Sequence, residues 1–116
     1  MAIVVYTDVQ KAAVVSLLIE MINADGVVDP KECYVFNSIC ATHQIGEECY
    51  RLGLSLDSEI AIDIMKRMSD LQKIHTAQLL VKVIDADARD DDKEICLFNR
   101  ICNLTGVDVL INAKDD

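Results

Sequence analysis

The chain has 116 residues, 52% of them hydrophobic, and a net charge of −9, so we expect a single domain with a substantial core. The acidic balance argues against binding to nucleic acid or to an anionic membrane surface, because both depend on lysine and arginine. With four glycines, one proline and no tryptophan, the composition favours an aliphatic helical core over a turn-rich sheet.

The sequence predicts a cytoplasmic protein. It begins without a basic segment of the signal-peptide type, and no apolar run approaches the ~20 residues that a membrane span needs. The five cysteines form no CxxC pair, so they are predicted to be small buried hydrophobic residues in a reducing compartment. They are Cys33, Cys40, Cys49, Cys96 and Cys102.

An internal repeat relates the segments 17–40 and 79–102, which are 62 residues apart. Twelve of the 24 aligned positions are identical, where chance would give about one or two. We therefore predict two units, about 8–45 and 70–107, related by a pseudo-two-fold axis within one domain, 1–116. The identical pairs are Leu17/Leu79, Leu18/Leu80, Ile22/Ile84, Ala24/Ala86, Asp25/Asp87, Asp29/Asp91, Lys31/Lys93, Glu32/Glu94, Phe36/Phe98, Asn37/Asn99, Ile39/Ile101 and Cys40/Cys102.

The first unit is predicted to contain two helices. Residues 8–24 are apolar nearly all round, which is typical of a helix in the middle of a bundle. The second helix has a strong start signal, with Asp29 at the N-cap, Pro30 at the first position and Glu32 at the third. This helix and its counterpart in the second unit are predicted to bury Phe36, Ile39 and Cys40, and Phe98, Ile101 and Cys102.

Two further helices are predicted between the units. The first is short, at 46–52, and the second is amphipathic, at 57–68, with Ile60, Ile64 and Met68 on one face.

The second unit begins with another apolar helix at about 70–86, which a box formed by Ser69 and Gln72 would cap. A second capped helix follows from Asp91, and a last short helix is predicted at 107–113. The predicted fold is therefore an all-α, compact, single-domain bundle of about seven helices.

An acidic loop joins the two helices of each unit. Residues 20–32 have a net charge of −3, from four acids and one lysine, and residues 85–94 have −4, from six acids and two basic residues. One interpretation is purely structural, since Asp29 with Glu32 is complete as a capping box and Asp25 suits an Asx turn. Gly26 would supply the positive φ that reverses the chain.

The other interpretation is a divalent-cation site, because carboxylate and backbone oxygens suit Ca²⁺ or Mg²⁺. The spacing is not that of an EF-hand, because Phe36 and Cys96 fall where the twelfth-position glutamate is required. The second loop is the stronger candidate because Asp90 and Asp92 add carboxylates. A metal-dependent hydrolase using that loop is a weaker rival, since His43 and His75 form no evident ligand set.

The segments 24–32, Ala-Asp-Gly-Val-Val-Asp-Pro-Lys-Glu, and 86–94, Ala-Asp-Ala-Arg-Asp-Asp-Asp-Lys-Glu, resemble the repeated signature of the tellurite-resistance TerB-like family. The resemblance implies a compact bundle of about seven helices, a role in bacterial stress responses and protein partners. It also implies divalent-cation sites in the two loops, and Ala88 departs from the signature glycine. Carried over by position, the motif acids are Asp25, Asp29, Glu32, Asp87, Asp91 and Glu94.

The expected function is that of a non-enzymatic, acidic helical module of TerB-like type. It would bind divalent cations in its acidic loops or present an acidic surface to a protein partner. The alternative is a pure interaction or scaffold module whose loops are only helix caps.

Overall fold

The computed structural model of the protein describes residues 4–86 and 92–114. Within these ranges the chain forms seven α-helices and no strand, which confirms the predicted all-α fold. The helices are α1 (Asp8–Ile22), α2 (Pro30–Thr42), α3 (Glu47–Ser55), α4 (Ser58–Lys66), α5 (Asp70–Ala86), α6 (Asp92–Thr105) and α7 (Val107–Lys114).

Helix α1 is the central element. It packs against α2, α3, α4, α5 and α6, and the run from Ala12 to Leu18 is buried on all sides. Its start is fixed by a complete capping box, in which Thr7 accepts from the backbone of Gln10 and the Gln10 side chain accepts from the backbone of Thr7. The predicted central position of this apolar helix is therefore correct.

Helix α5 packs against α1, α2, α6 and α7. Ser69 and Gln72 cap it with the box that the sequence predicts. Leu79, Leu80 and Val83 are buried, as expected for a core helix. The prediction of another apolar helix at 70–86 overstates the burial of α5, since Leu71 and Val81 are exposed. Its outer side faces solvent because fewer helices cover it than cover α1.

The face predicted for α4 is correct only in part, since Ile64 packs against the core as expected but Ile60 does not. Ile60 is exposed, whereas Ala61, Ile62 and Met65 are buried. This short helix carries apolar residues on two overlapping stripes, and the stripe with the small Ala61 is the one that the contact with α1 buries. Met68, just after the helix, is buried as predicted.

The core is aliphatic, as the composition predicts, and includes the matching pair Ile39 and Ile101. The second predicted pair, Phe36 and Phe98, is unequal: Phe36 is buried, while Phe98 is only partly buried at the edge of the core. The ring of Phe36 packs edge-on against Tyr50, with centroids 6.0 Å apart.

The cysteines are less buried than the sequence predicts. All five are free thiols, but only Cys102 is fully buried, and Cys96 is exposed. Cys96 lies on the outer face of the amphipathic helix α6, which accounts for the difference. None of the helices in the described ranges has both the length and the apolar character needed to cross a membrane.

Candidate functional site

The first acidic loop, residues 23–29 between α1 and α2, is built by local hydrogen bonds. Gly26 has the predicted positive φ, +79°, and its N–H donates to the carbonyl of Asn23 at 3.0 Å. The Asp25 carboxylate accepts from the N–H of Val27 at 2.9 Å, as in an Asx turn. The Asp29 carboxylate caps α2 by accepting from the N–H of Lys31 at 2.8 Å.

The third acid of the motif behaves differently. Glu32 is 0% exposed, and Glu94, its counterpart 62 residues later, is 1% exposed. Neither carboxylate is isolated, since each interacts with other groups of the protein. Burying an ionised carboxylate is costly unless charges or hydrogen bonds compensate it. These two glutamates are therefore interior groups of the fold.

The predicted cation ligands are not assembled in the part of the chain that the structure describes. In residues 4–86 and 92–114, no three His, Cys, Asp or Glu side chains come close enough together to hold a metal ion. In the first loop, the carboxylates of Asp25 and Asp29 each accept from a backbone N–H two residues further on, while Glu32 lies in the interior. In the second loop, Asp87 and Asp91 lie outside the described residues. The six-residue ligand set therefore stays a prediction.

A second cluster, to which the sequence gives no role, lies between α2 and α5. The Nε2 atoms of His43 and His75 are 3.1 Å apart, within hydrogen-bond distance. The ring of Tyr6 packs against both, with its centroid 5.6 Å from that of His43 and 6.2 Å from that of His75. Its hydroxyl is 2.9 Å from Oγ1 of Thr76, which fixes the tyrosine in the core.

This cluster lines a hollow of about 420 Å³, here called the histidine hollow. Lys11 and Lys82 also line it, and Lys11 donates from Nζ to the carbonyl of Gln44 at 3.2 Å. An adjoining hollow of about 370 Å³ shares Thr42, His43 and Lys82 with it. Within residues 4–86 and 92–114, the histidine hollow is lined by Val4, Val5, Tyr6, Lys11, Thr42, His43, Gln44, His75 and Lys82.

Burial and nearby positive charges both lower the pKa values of the two histidines. Burial lowers the pKa of His43, and the charges of Lys82 and Lys11 lower it further. Burial likewise lowers the pKa of His75, with further contributions from His43 and Lys82. Burial raises the pKa of Tyr6 to about 12, against a smaller opposing effect of its bond to Thr76. Both imidazoles are thus biased toward the neutral form, in which one ring donates to the other.

The sequence carries no local signal for this pairing. His43 and His75 are 32 residues apart, one just after α2 and the other within α5. The repeat gives no hint either, because 62 residues after His43 stands Thr105, and 62 before His75 stands Ala13. Only the packing of α2 on α5 brings the two rings together.

Comparisons with known proteins identify the fold but no family. No family model and no curated protein matches this chain. A similar solved structure is the crystal structure of a protein of unknown function from Porphyromonas gingivalis W83, with 24% sequence identity and a TM-score of 0.74. The match covers 91% of this chain and 83% of that protein, so the two share an overall helical arrangement.

Proposed function

We propose that this chain is a non-enzymatic, acidic helical module, similar to TerB-like proteins, that acts in a bacterial stress response by binding a protein partner. The observation that carries the proposal is an exposed apolar group beside the first acidic loop. Tyr34 is 76% exposed, and Val27 and Val28, between the two loop aspartates, are also exposed. Exposed aromatic residues are typical anchors of protein interfaces.

The charge of the protein indicates the kind of partner. With a net charge of −9, it attracts a basic surface and repels an acidic one. Asp25 and Asp29 flank the exposed valines, so a partner with a basic rim and an apolar centre fits this surface best.

The test is site-specific photocrosslinking in the native cells. A photoreactive residue at position 34 should crosslink to a distinct partner, because the Tyr34 side chain projects into solvent. The matched control is position 50, since Tyr50 packs against Phe36 and is less exposed. Equal crosslinking at both positions, or none at position 34, would contradict the proposal.

A second candidate function is binding of a divalent cation by the acidic loops, and their concentrated negative charge, −3 over residues 20–32 and −4 over residues 85–94, favours it. Carboxylate and backbone oxygens of such loops are the ligands that Ca²⁺ and Mg²⁺ prefer. Because Asp25 and Asp29 bond their own backbone, binding at the first loop would require these bonds to rearrange.

Calcium titration distinguishes the two candidates. A ligand that binds only the folded state stabilises it by about 2.7 kcal/mol at a hundredfold excess over Kd. The melting temperature should then rise with millimolar Ca²⁺, and the rise should shrink in Asp87→Asn. Sodium chloride at equal ionic strength is the control, because screening also relieves repulsion within an acidic protein. If sodium reproduces the whole rise, the loops are helix caps and the partner-binding function stands alone.

A further inference from the structure

The histidine hollow is a local concentration of positive charge on an acidic protein. Lys11, His43, His75 and Lys82 approach it from α1, the end of α2, and α5. Among the residues that the structure describes, none that lines it is an aspartate or a glutamate, and Asp85 lines only the adjoining hollow. In the part of the chain that the structure describes, ion pairs join Arg51 to Glu47 and Arg67 to Asp63, and neither lysine of the hollow takes part.

The donors in the hollow are available to a ligand. An ammonium group has three N–H donors, and Lys11 uses one on the carbonyl of Gln44. Lys82 is exposed beside the rings. In the neutral pair, one imidazole donates to the other at 3.1 Å, and a proton taken up at the free Nδ1 of the donor ring makes that ring an imidazolium while the bond stays in place. The hydroxyl of Tyr6 is engaged with Thr76, so it supports the rings and is not a ligand group.

We propose that the histidine hollow binds a dianionic phosphate group, with uptake of a proton by the His43–His75 pair. Two ammonium groups and an imidazolium match two negative charges better than the single charge of a carboxylate. The same lysines repel metal cations, which argues against a two-histidine metal site. The volume of about 420 Å³ lies within the usual range for small-molecule sites and exceeds what one phosphate needs, so a phosphate monoester fits as well as the free ion.

The protonation follows from the charges that face the pair. Lys11 and Lys82 disfavour the imidazolium form in the empty hollow, and a bound dianion reverses that effect. Binding should therefore raise the pKa of at least one imidazole, and the affinity for the dianion should increase as the pH falls toward that raised pKa. One unit of negative charge about 5 Å away in water is worth roughly half a pKa unit, which sets the smallest shift expected.

The test is an NMR titration of the two imidazoles with inorganic phosphate and, separately, with phenyl phosphate, at constant ionic strength. His43→Gln and His75→Gln assign the signals, since these are the only histidines. Phosphate should raise the midpoint of the pH titration of at least one imidazole by about half a pKa unit or more. Tighter binding of phenyl phosphate would identify a monoester as the preferred source, and equal or tighter binding of inorganic phosphate would identify the free ion.

Lys82→Gln distinguishes phosphate binding in the hollow from nonspecific attraction of phosphate to positive charge on the protein. It should weaken phosphate binding by about fourfold or more, because one ammonium is lost close to a dianion. Lys73→Gln is the matched control: it removes the same charge from the same helix but not from the hollow, and it should leave the affinity unchanged. The proposal is overturned if acetate or chloride at equal ionic strength gives the same pKa shift. Equal affinities for Lys82→Gln and Lys73→Gln, with both variants folded by circular dichroism, would also overturn it.

Discussion

Gln10 and Gln72 form a reciprocal amide pair. The Nε2 group of Gln72 donates to Oε1 of Gln10 at 2.9 Å, and the Nε2 group of Gln10 donates back at 3.3 Å. Each glutamine also closes the capping box of its own helix, α1 or α5. The two residues are 62 positions apart, which is the offset of the predicted repeat. The starts of the two central helices are thus tied to each other as well as capped.

We expect Gln10 and Gln72 to be energetically coupled. Gln10→Ala and Gln72→Ala should each destabilise the protein by about 1 kcal/mol, since each breaks a cap and the two shared bonds. The double variant should cost less than the sum of the two, because the shared bonds are lost only once. Urea unfolding of the wild type, the two single variants and the double variant measures this double-mutant cycle. Gln78→Ala, on the exposed side of α5, is the control. Additive effects within error would show that the pair contributes nothing.

Gly53 lies in α3 directly against the backbone and side chains of α1. A Cβ atom at this position would lie 2.7 Å from the carbonyl oxygen of Ala12 and 2.7 Å from the Val15 side chain. We therefore expect Gly53→Ala to destabilise the protein by about 1–3 kcal/mol, because backbone must move to admit the methyl group. Gly46→Ala is the control, since its Cβ meets no atom within 4 Å. Equal unfolding midpoints for the two variants would contradict this close contact.

The two repeated phenylalanines should differ in their contribution to stability. Phe36 is 8% exposed and packs on Tyr50, so Phe36→Ala should cost about 3–5 kcal/mol. Phe98 is only partly buried and lines an apolar surface hollow with Ile74 and Ile111. Phe98→Ala should therefore cost clearly less. Denaturant titrations compare the two, and equal losses would mean that the symmetric sequence prediction describes the core better than the structure does.

Much of the fold could be predicted because its signals are local. The aspartate and proline at 29 and 30 fix the start of α2 through one hydrogen bond and one restricted φ, and both act within a single turn. The apolar pattern of α1 is also readable within the helix itself, and a helix that is apolar nearly all round has to lie in the middle of the bundle. The buried face of α4 could not be predicted, because Ile60 and Ile62 are equally apolar and only the approach of α1 decides between them.

The candidate sites divide in the same way. The Asx turn of Asp25 and the cap by Asp29 are local and could be predicted, whereas the burial of Glu32 depends on what packs over the start of α2. The contact between His43 and His75 depends wholly on tertiary packing, so a list of residues and spacings gives no sign of it. The acidic loops are evident in the sequence because their charged residues are adjacent along the chain. The residues that line the histidine hollow come together only when the chain folds.

The histidine pair should make stability depend on pH near neutrality. Burial, followed by the nearby lysines, holds the pKa of His43 below its ordinary value of 6.5 in the folded protein, and burial does the same for His75. As the pH falls through about 6.5, the unfolded chain therefore binds more protons than the folded protein does. The contribution of the two neutral histidines to the free energy of unfolding is thus complete above that pH. It should decline as the pH drops toward the lowered folded pKa and change no further below it.

Urea midpoints measured from about pH 8 to about pH 5.5 test this, in buffers free of phosphate so that no ligand raises the histidine pKa. The wild-type midpoint should fall across the range, and the fall should be smaller in His43→Gln and in His75→Gln, because either change leaves one partly buried imidazole and removes the other. Carboxylates titrate mainly at lower pH and are common to all three proteins, so the difference between the curves isolates the histidines. Parallel curves would show that the pair is solvated well enough for folding to leave its protonation unchanged.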